Sequence, residues 1–390
     1  MKTIITCGIL FLDLTLIGII MKAQHIALVI GLTFTPFASQ ANASQVSDDK
    51  AAFSDAYQSY LTAVKKDENI EQAAKHAYTT GLALYGDKSD NTASLAINYA
   101  KAITAPRSTN DKKNVSEQRF ELYSQAYTIL ANNHGKNAIE TIDALIGKAE
   151  NTSSAYQADN DYDRIIEIAK TQNNPKFVAD MQFEAASLLA KKFAHKKYHK
   201  AKTLLNQADD YYRNNLDDNT VERIKADFLM ASFAQGKKKY NEAIERLNHV
   251  VSVFDNNLSF DHSAELTAHS KLVNLYEKTG QSEQATKHCL AIAKMVPWKK
   301  TQEQTPIYRK NPEYPQNKAR QMRDGIVVVE FDVDTAGFVK NPEVVSSQGG
   351  KEFERSALTA LKKWRYAPKF EDGQPVVAST QVQLDFKIAR

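Results

Sequence analysis

The sequence predicts a mainly α-helical repeat solenoid followed by a small α+β domain, a three-stranded antiparallel sheet covered by a helix. Three observations carry this reading. From about Asp48 to Val296 the only prolines are Pro106 and Pro175, in a run rich in Ala, Leu, Lys and Glu. Within that run a pattern of residues recurs at a fixed spacing. Beyond it the apolar period switches from that of a helix to two. A chain of 390 residues exceeds one ordinary domain, so two or more are expected. With 43% hydrophobic and 25% charged residues and a mean hydropathy of −0.47, the chain as a whole is not membrane-embedded.

Residues 1–43 stand apart as a signal-peptide region. Ile4 to Ile20 is apolar but for Asp13, and Met21 then restarts a complete secretory pattern. Lys22 is followed by an apolar stretch, Ile26 to Phe37, broken by Pro36, and by Ala41-Asn42-Ala43 before Ser44. Met21 is the expected true start, with cleavage after Ala43 and release into the periplasm. The competing reading makes Ile4 to Ile20 a signal anchor, in which Asp13 is costly in lipid; the protein would then be held at the inner membrane. Cys7 lies in this leader, so the mature chain would keep only Cys289, read as a small core hydrophobe. Export without a disulfide suits a bacterial envelope compartment.

Charge excludes one class of partner. Ser44 to Thr305 carries 34 basic and 34 acidic residues, and Pro306 to Arg390 carries 14 and 11. Neither has the basic excess of a nucleic-acid binder. The lysine runs in "KKFAHKKYHKAK" and "GKKKY" fall between apolar residues at helical spacing and read as solvated faces.

The helical region, residues 44–297, contains the repeat. In "KKYHKAKTLLNQA", "KKYNEAIERLNHV" and "GQSEQATKHCLAIA", Ala201, Ala243 and Ala285 recur every 42 residues. Leu205, Leu247 and Cys289 follow four positions later, then Ala208, Val250 and Ile292. Each segment follows a helix with aromatic or Leu anchors, and Gly236 and Gly280 are read as the inter-helix turns. Two earlier segments look like degenerate copies with Gly86 and Gly135 at the turns. The pattern resembles the tetratricopeptide repeat, whose small residue in the second helix lets two helices approach closely. That resemblance implies a concave surface for peptides or partner proteins, with a plain spacer as the alternative.

Residues 298–312, polar with Pro306 and Pro312, read as a linker, and residues 313–390 as the second domain. Gly325 to Asp334 alternates, with Val327, Val329, Phe331 and Val333 on one face. Gly337 marks a turn, and Phe338 to Ser347 returns as a strand that Pro342 confines to an edge or a bulge. The helix Lys351 to Trp364 places Phe353, Ala357, Leu361 and Trp364 on one face, a cover for a sheet too small to stand alone. The last strand, Thr380 to Ile388, turns Val382, Leu384, Phe386 and Ile388 inward and Gln381, Gln383, Asp385 and Lys387 outward. The expected core is built from Gly325, Phe331, Gly337, Phe353, Leu361, Trp364, Tyr366 and Pro368.

The words "EYP" at Glu313 to Pro315, "DGIVVVEFDVDTAGFV" from Asp324, "FERSALTALKKWRYAP" from Phe353 and Gly373-Gln374-Pro375-Val376 resemble the C-terminal domain of the TonB family. The resemblance covers residues 306–390. It implies a periplasmic domain that docks on TonB-dependent outer-membrane receptors, whose TonB box adds as a strand to the sheet edge. By the same resemblance the partner-binding residues would be Glu313, Tyr314 and Pro315 with Val382, Gln383, Leu384, Asp385 and Phe386. Glu313 stands where the family often has Gln. Two features depart from a standard member, which has an uncleaved N-terminal helix engaging an ExbB/ExbD-type proton-driven motor and a Pro-rich rod.

Two classes of function follow. One is a TonB-like component of energy-coupled transport, of the iron-siderophore type by analogy, whose repeats bind a second envelope protein. The other is a non-energised periplasmic scaffold for envelope or secretion complexes. An enzyme is not expected: no phosphate loop, nucleophile elbow or Cys/His cluster is present. His195 and His199 are four apart on a helix, but the surrounding "HKKYHK" lacks the Glu of a zinc-protease helix and reads as a solvated face. No cofactor, metal or nucleic acid is implied.

Overall fold

The computed structural model describes residues 43–104, 109–257, 262–296, 298 and 304–388. The leader and its cleavage site fall, apart from Ala43, outside the described residues. Among the described residues no helix is long and apolar enough to cross a membrane. Two compact units divide the chain, one ending at Ala226 and the other running from Asp227 to the C-terminal end.

The first unit is built of helices α1 (Ala43–Lys66), α2 (Ile70–Tyr85), α3 (Asp90–Ala102), α4 (Thr109–His134), α5 (Ile142–Asn151), α6 (Ala155–Thr171) and α7 (Pro175–Asn215), each packed on the next. Side chains start them where the sequence offers a cap. Ser89, Ser154 and Asn174 accept hydrogen bonds from the N–H groups of Asn91, Gln157 and Phe177 at 3.2, 3.2 and 3.1 Å. Pro175 sits in the first turn of α7, where its missing N–H costs nothing. Gly86 and Gly135, at φ +79° and +101°, end α2 and α4 in a conformation that a side chain resists.

Helix α7 is not one rod. Phe193 and Lys197 have non-helical dihedrals, and the two arms fold back on one another. Gln182 donates to Gln207 at 2.9 Å and Tyr212 to Asp180 at 2.9 Å, while Ala179, Ala208 and Tyr212 share one core. A straight helix would put residues 30 apart about 45 Å from each other.

The second unit continues with the rest of α8 (Val221–Gly236), then α9 (Tyr240–Asn257), α10 (Ser263–Lys278) and α11 (Ser282–Met295). Asp227, 1% exposed, ties α8 to α9 by bonds to Arg246 at 2.8 Å and His249 at 2.6 Å. Ala201, Ala243 and Ala285 are all fully buried, as are or nearly are Leu205, Leu247 and Cys289. The turn between α8 and α9 corrects one expectation. Gly236 is the last helical residue, and the left-handed residue is Lys238, at φ +59°. Gly280, at φ +75°, does sit in the turn between α10 and α11.

The same close packing predicts a cost elsewhere in the repeats. A Cβ on Gly147 would lie 2.3 Å from the ring of Tyr123, itself 5% exposed. Gly147→Ala is expected to destabilise the first unit by roughly 2 kcal/mol through overpacking, despite its gain in helix propensity. Thermal unfolding followed by helical circular dichroism checks the sign, which propensity alone would reverse.

The C-terminal domain has a short helix α12 (Gln316–Arg320), strands β1 (Gly325–Val333) and β2 (Val339–Gln348), and helix α13 (Lys351–Leu361). A small hairpin follows, β3 (Lys369–Glu371) and β4 (Gln374–Val376), and then β5 (Ala378–Phe386). The three-stranded antiparallel sheet has the order β2-β1-β5, and α13 covers it. Val327, Val329, Phe331, Val333, Phe353, Ala357, Leu361, Trp364, Tyr366, Leu384 and Phe386 form one core.

The strands β1 and β2 differ from the sequence reading by a residue at their ends, and the larger differences lie further on. Helix α13 stops at Leu361 rather than Trp364, because Trp364 N–H turns back to the Leu361 carbonyl at 2.9 Å and Arg365 enters bridge pairing. The last strand runs from Ala378 to Phe386, and Ile388 N–H is instead taken by the Asp324 carboxylate at 3.0 Å. The β3–β4 hairpin was not foreseen; Asp372 and Gly373, at φ +49° and +76°, supply its two-residue turn.

Candidate functional site

β1 is central, so the sheet has two edges, and they are unlike. β2 is irregular: its pairing with β1 shifts between Val328 and Val329 and again between Glu330 and Asp332. At the second shift lie Asn341, at φ +47°, and Pro342, which has no N–H to offer. Bulges and proline are the usual means of blunting an edge. β5 pairs with β1 in unbroken register from Gly325 opposite Phe386 to Val333 opposite Ala378. Among the described residues no strand lies on its other side. It is therefore a straight run of nine residues whose outward N–H and C=O groups can receive another strand.

Side chains alternate along β5. Leu384 and Phe386 are buried in the core and Val382 is half-buried, so only their backbone is offered at the edge. Gln383 and Asp385 are exposed, joined by a 2.8 Å hydrogen bond. On the solvent face Asp332 links all three strands, accepting from Ser379 of β5 at 2.6 Å and Asn341 of β2 at 3.1 Å. These two bonds hold its carboxyl below the usual range.

The Glu313-Tyr314-Pro315 word sits beside this core. The Tyr314 ring meets Phe353 and Phe386 edge-on, with centroids at 5.5 and 5.9 Å, and its hydroxyl donates to the Arg323 carbonyl at 2.5 Å. Burial, with Asp324 nearby, pushes its phenol up. Pro315 leads into α12, while Glu313 is exposed and its carbonyl accepts from Ser356. Tyr314 thus has packing work next to the last residue of β5, and Glu313 is the one side chain of the three left fully to solvent. The predicted core residues Gly325, Phe331, Gly337, Phe353, Leu361, Trp364, Tyr366 and Pro368 are all buried. Trp364 also donates from its indole to the Lys310 carbonyl at 2.9 Å. His195 and His199 are both exposed. Among the described residues no cluster of three His, Cys, Asp or Glu side chains is arranged to hold a metal ion.

Sequence reasoning passed over Arg365, which is 1% exposed between Trp364 and Tyr366. Its flanking residues fill the domain's own core, so alternation places it on the opposite side. Nothing local in the sequence says what covers it there.

These features define a small sheet domain with one blunted edge and one open edge, built behind helical repeats. Residues 310–388 match the family model described as Gram-negative bacterial TonB protein C-terminal, so this part of the chain is similar to a TonB C-terminal domain. The chain is 40% identical over 69 residues to Protein TonB of Salmonella typhimurium, covering 18% of this chain and 27% of that one. It is 31% identical over 77 residues to Protein TonB of Vibrio cholerae, covering 20% and 32%. These matches span less than a third of the relatives' length. Among solved structures, the TonB2 protein of Vibrio anguillarum is 34% identical, with a TM-score of 0.20, covering 24% of this chain and 91% of that one. A putative kinesin light chain from Podosopora anserina with TPR-like repeats is 18% identical, with a TM-score of 0.41, covering 52% and 92%.

Proposed function

We propose that this protein is a periplasmic TonB-like component that binds TonB-dependent outer-membrane receptors by adding a receptor strand to β5. The observation that carries the proposal is the contrast of the two edges in a TonB-like C-terminal domain: β2 is bulged and holds a proline, whereas β5 is open and in continuous register. Backbone pairing would supply affinity, and the exposed Gln383 and Asp385 would bias the choice of receptor. On this reading the repeats bind a second envelope protein, an ExbB/ExbD-type motor or another protein of the system supplies energy, and the cargo is of the iron-siderophore class.

The test is titration of the full chain with synthetic peptides carrying TonB-box segments, unmodified and N-methylated at alternate amides. The expected result is saturable binding that N-methylation abolishes in one register and spares in the other. Binding indifferent to N-methylation, or none to any box peptide, would refute strand addition and leave the non-energised scaffold.

A further inference from the structure

Arg365 has five N–H donors and no acceptor, and a buried guanidinium must find oxygen on several sides. Here it finds them mostly on the last helical hairpin. Nη1 pairs with the Glu277 carboxylate of α10 and donates to the Ser282 carbonyl at the start of α11, at 3.3 Å. Nη2 donates to Thr286 Oγ1 of α11 at 2.7 Å and to the Ala336 carbonyl in the β1–β2 turn at 2.8 Å. The guanidinium carbon lies over the Phe338 ring, 3.7 Å from its centroid. Glu277, side chain 11% exposed, also accepts from Ser282 Oγ at 2.9 Å, a second bond that orients the carboxylate Arg365 meets.

The backbone of the same residue ties in the segment before the domain. Arg365 exchanges hydrogen bonds with Tyr308 and accepts from Ile307 N–H at 2.8 Å, and the Ile307 carbonyl accepts from Asn274 of α10 at 2.9 Å. The Trp298 indole donates to the Ala367 carbonyl at 2.8 Å. Both ends of the stretch read as a linker are thus attached to the domain. Cys289 of α11 lies under the β1–β2 turn, where its Cβ would be 3.6 Å from a Cβ added at Gly337.

We propose that Arg365 is a positioning residue that locks the sheet domain onto the α10–α11 hairpin, so that the repeat presents the sheet in one fixed orientation. The lock requires a guanidinium. A lysine has the charge but neither the planar fork that serves Glu277, Thr286 and Ala336 together nor a face to lay on Phe338. Breaking one side of such a buried pair leaves an uncompensated charge, so the joint holds as a unit or opens as a unit. The proposal goes beyond the receptor reading and stands whether or not β5 accepts a strand.

The test is a distance distribution by pulsed electron paramagnetic resonance on the full chain, with spin labels carried by unnatural amino acids at exposed Glu283 on α11 and Gln381 on β5. The unmodified joint is expected to give one narrow distance. Arg365→Met is expected to broaden it while hydrogen exchange at the β1 amides stays protected, a separation that a purely structural loss of the sheet would not show. If Arg365→Met unfolds the sheet, Glu277→Gln decides: it alters only the helical side and is expected to broaden the distance with β1 still protected. A broad distribution in the parent chain, or a narrow one in Arg365→Met or Glu277→Gln, overturns the proposal.

Discussion

Gly337→Ala is expected to destabilise the unit that holds the C-terminal domain by about 4 kcal/mol, near the upper end for a single substitution. Two costs combine. Gly337 has φ +84°, where a side chain costs about 1 kcal/mol. An added Cβ would also stand 2.2 Å from the carbonyl oxygen of Tyr366, and a backbone atom cannot swing aside as a side chain can. The turn has little slack. Gly337 N–H bonds to the Asp334 carbonyl at 2.9 Å, the Asp334 carboxylate takes the N–H groups of Ala336 and Phe338 at 3.0 and 2.8 Å, and Tyr366 N–H bonds to the Gly337 carbonyl at 2.9 Å. Moving Tyr366 to make room would disturb a residue packed in the core between Phe331 and Trp364. The measurement is urea unfolding followed by tryptophan fluorescence. The chain's two tryptophans, Trp298 and Trp364, both report on this domain. A loss below about 1 kcal/mol would mean that the β1–β2 turn can move off Tyr366 at little cost.

Acid should act on the same unit through a different feature. In the α10–α11 hairpin His269 Nδ1 and His288 Nδ1 are 2.7 Å apart, Tyr276 stacks on His288 with ring centroids at 5.5 Å, and Glu265 lies 3.7 Å from His269 Nε2. Burial, then His269, then Lys287 depress His288 from 6.5 to about 4. Burial also lowers His269, opposed by Asp255. His288 is therefore neutral in the folded protein over a range where an unfolded chain would protonate it, and His269 is shifted in the same direction. The unfolded state binds more protons as pH falls below the ordinary imidazole value, so stability is full above about 6.5 and declines down to about 4. His288 alone accounts for about 3 kcal/mol over that window. His288→Gln should flatten the dependence of the urea midpoint on pH, measured by the same fluorescence. An unchanged slope would place the acid sensitivity in other groups.

The parts of the fold that could be read from the sequence are those in which a pattern recurs. The register of Ala201, Ala243 and Ala285 marks a buried small residue in each of three helices, and alternation in β1 and β5 separates core from solvent. The fold-back of α7 shows why the rest was harder. Its turn, Phe193 to Lys197, contains neither Gly nor Pro, and only the period of the repeat points to it. At the candidate site the strand and its inward residues were legible. The superiority of β5 over β2 was not, because it depends on where two bulges fall in the pairing. Arg365 was least legible, since its partners on the helical hairpin are 79 to 88 residues away in sequence.

Cys289 carries a consequence for the chemistry of the folded chain. Its thiol is buried under the β1–β2 turn, and burial pushes it up to about 12 despite the pull of the Arg365 charge. At neutral pH only about one thiol in 10⁵ is ionised, so oxidants and alkylating reagents find almost no nucleophile while the joint is closed. Once the joint opens, the same sulfur becomes an ordinary reactive thiol. Its rate of alkylation is then a built-in clock for how often the joint opens, and an oxidising compartment would harm the protein only in those moments.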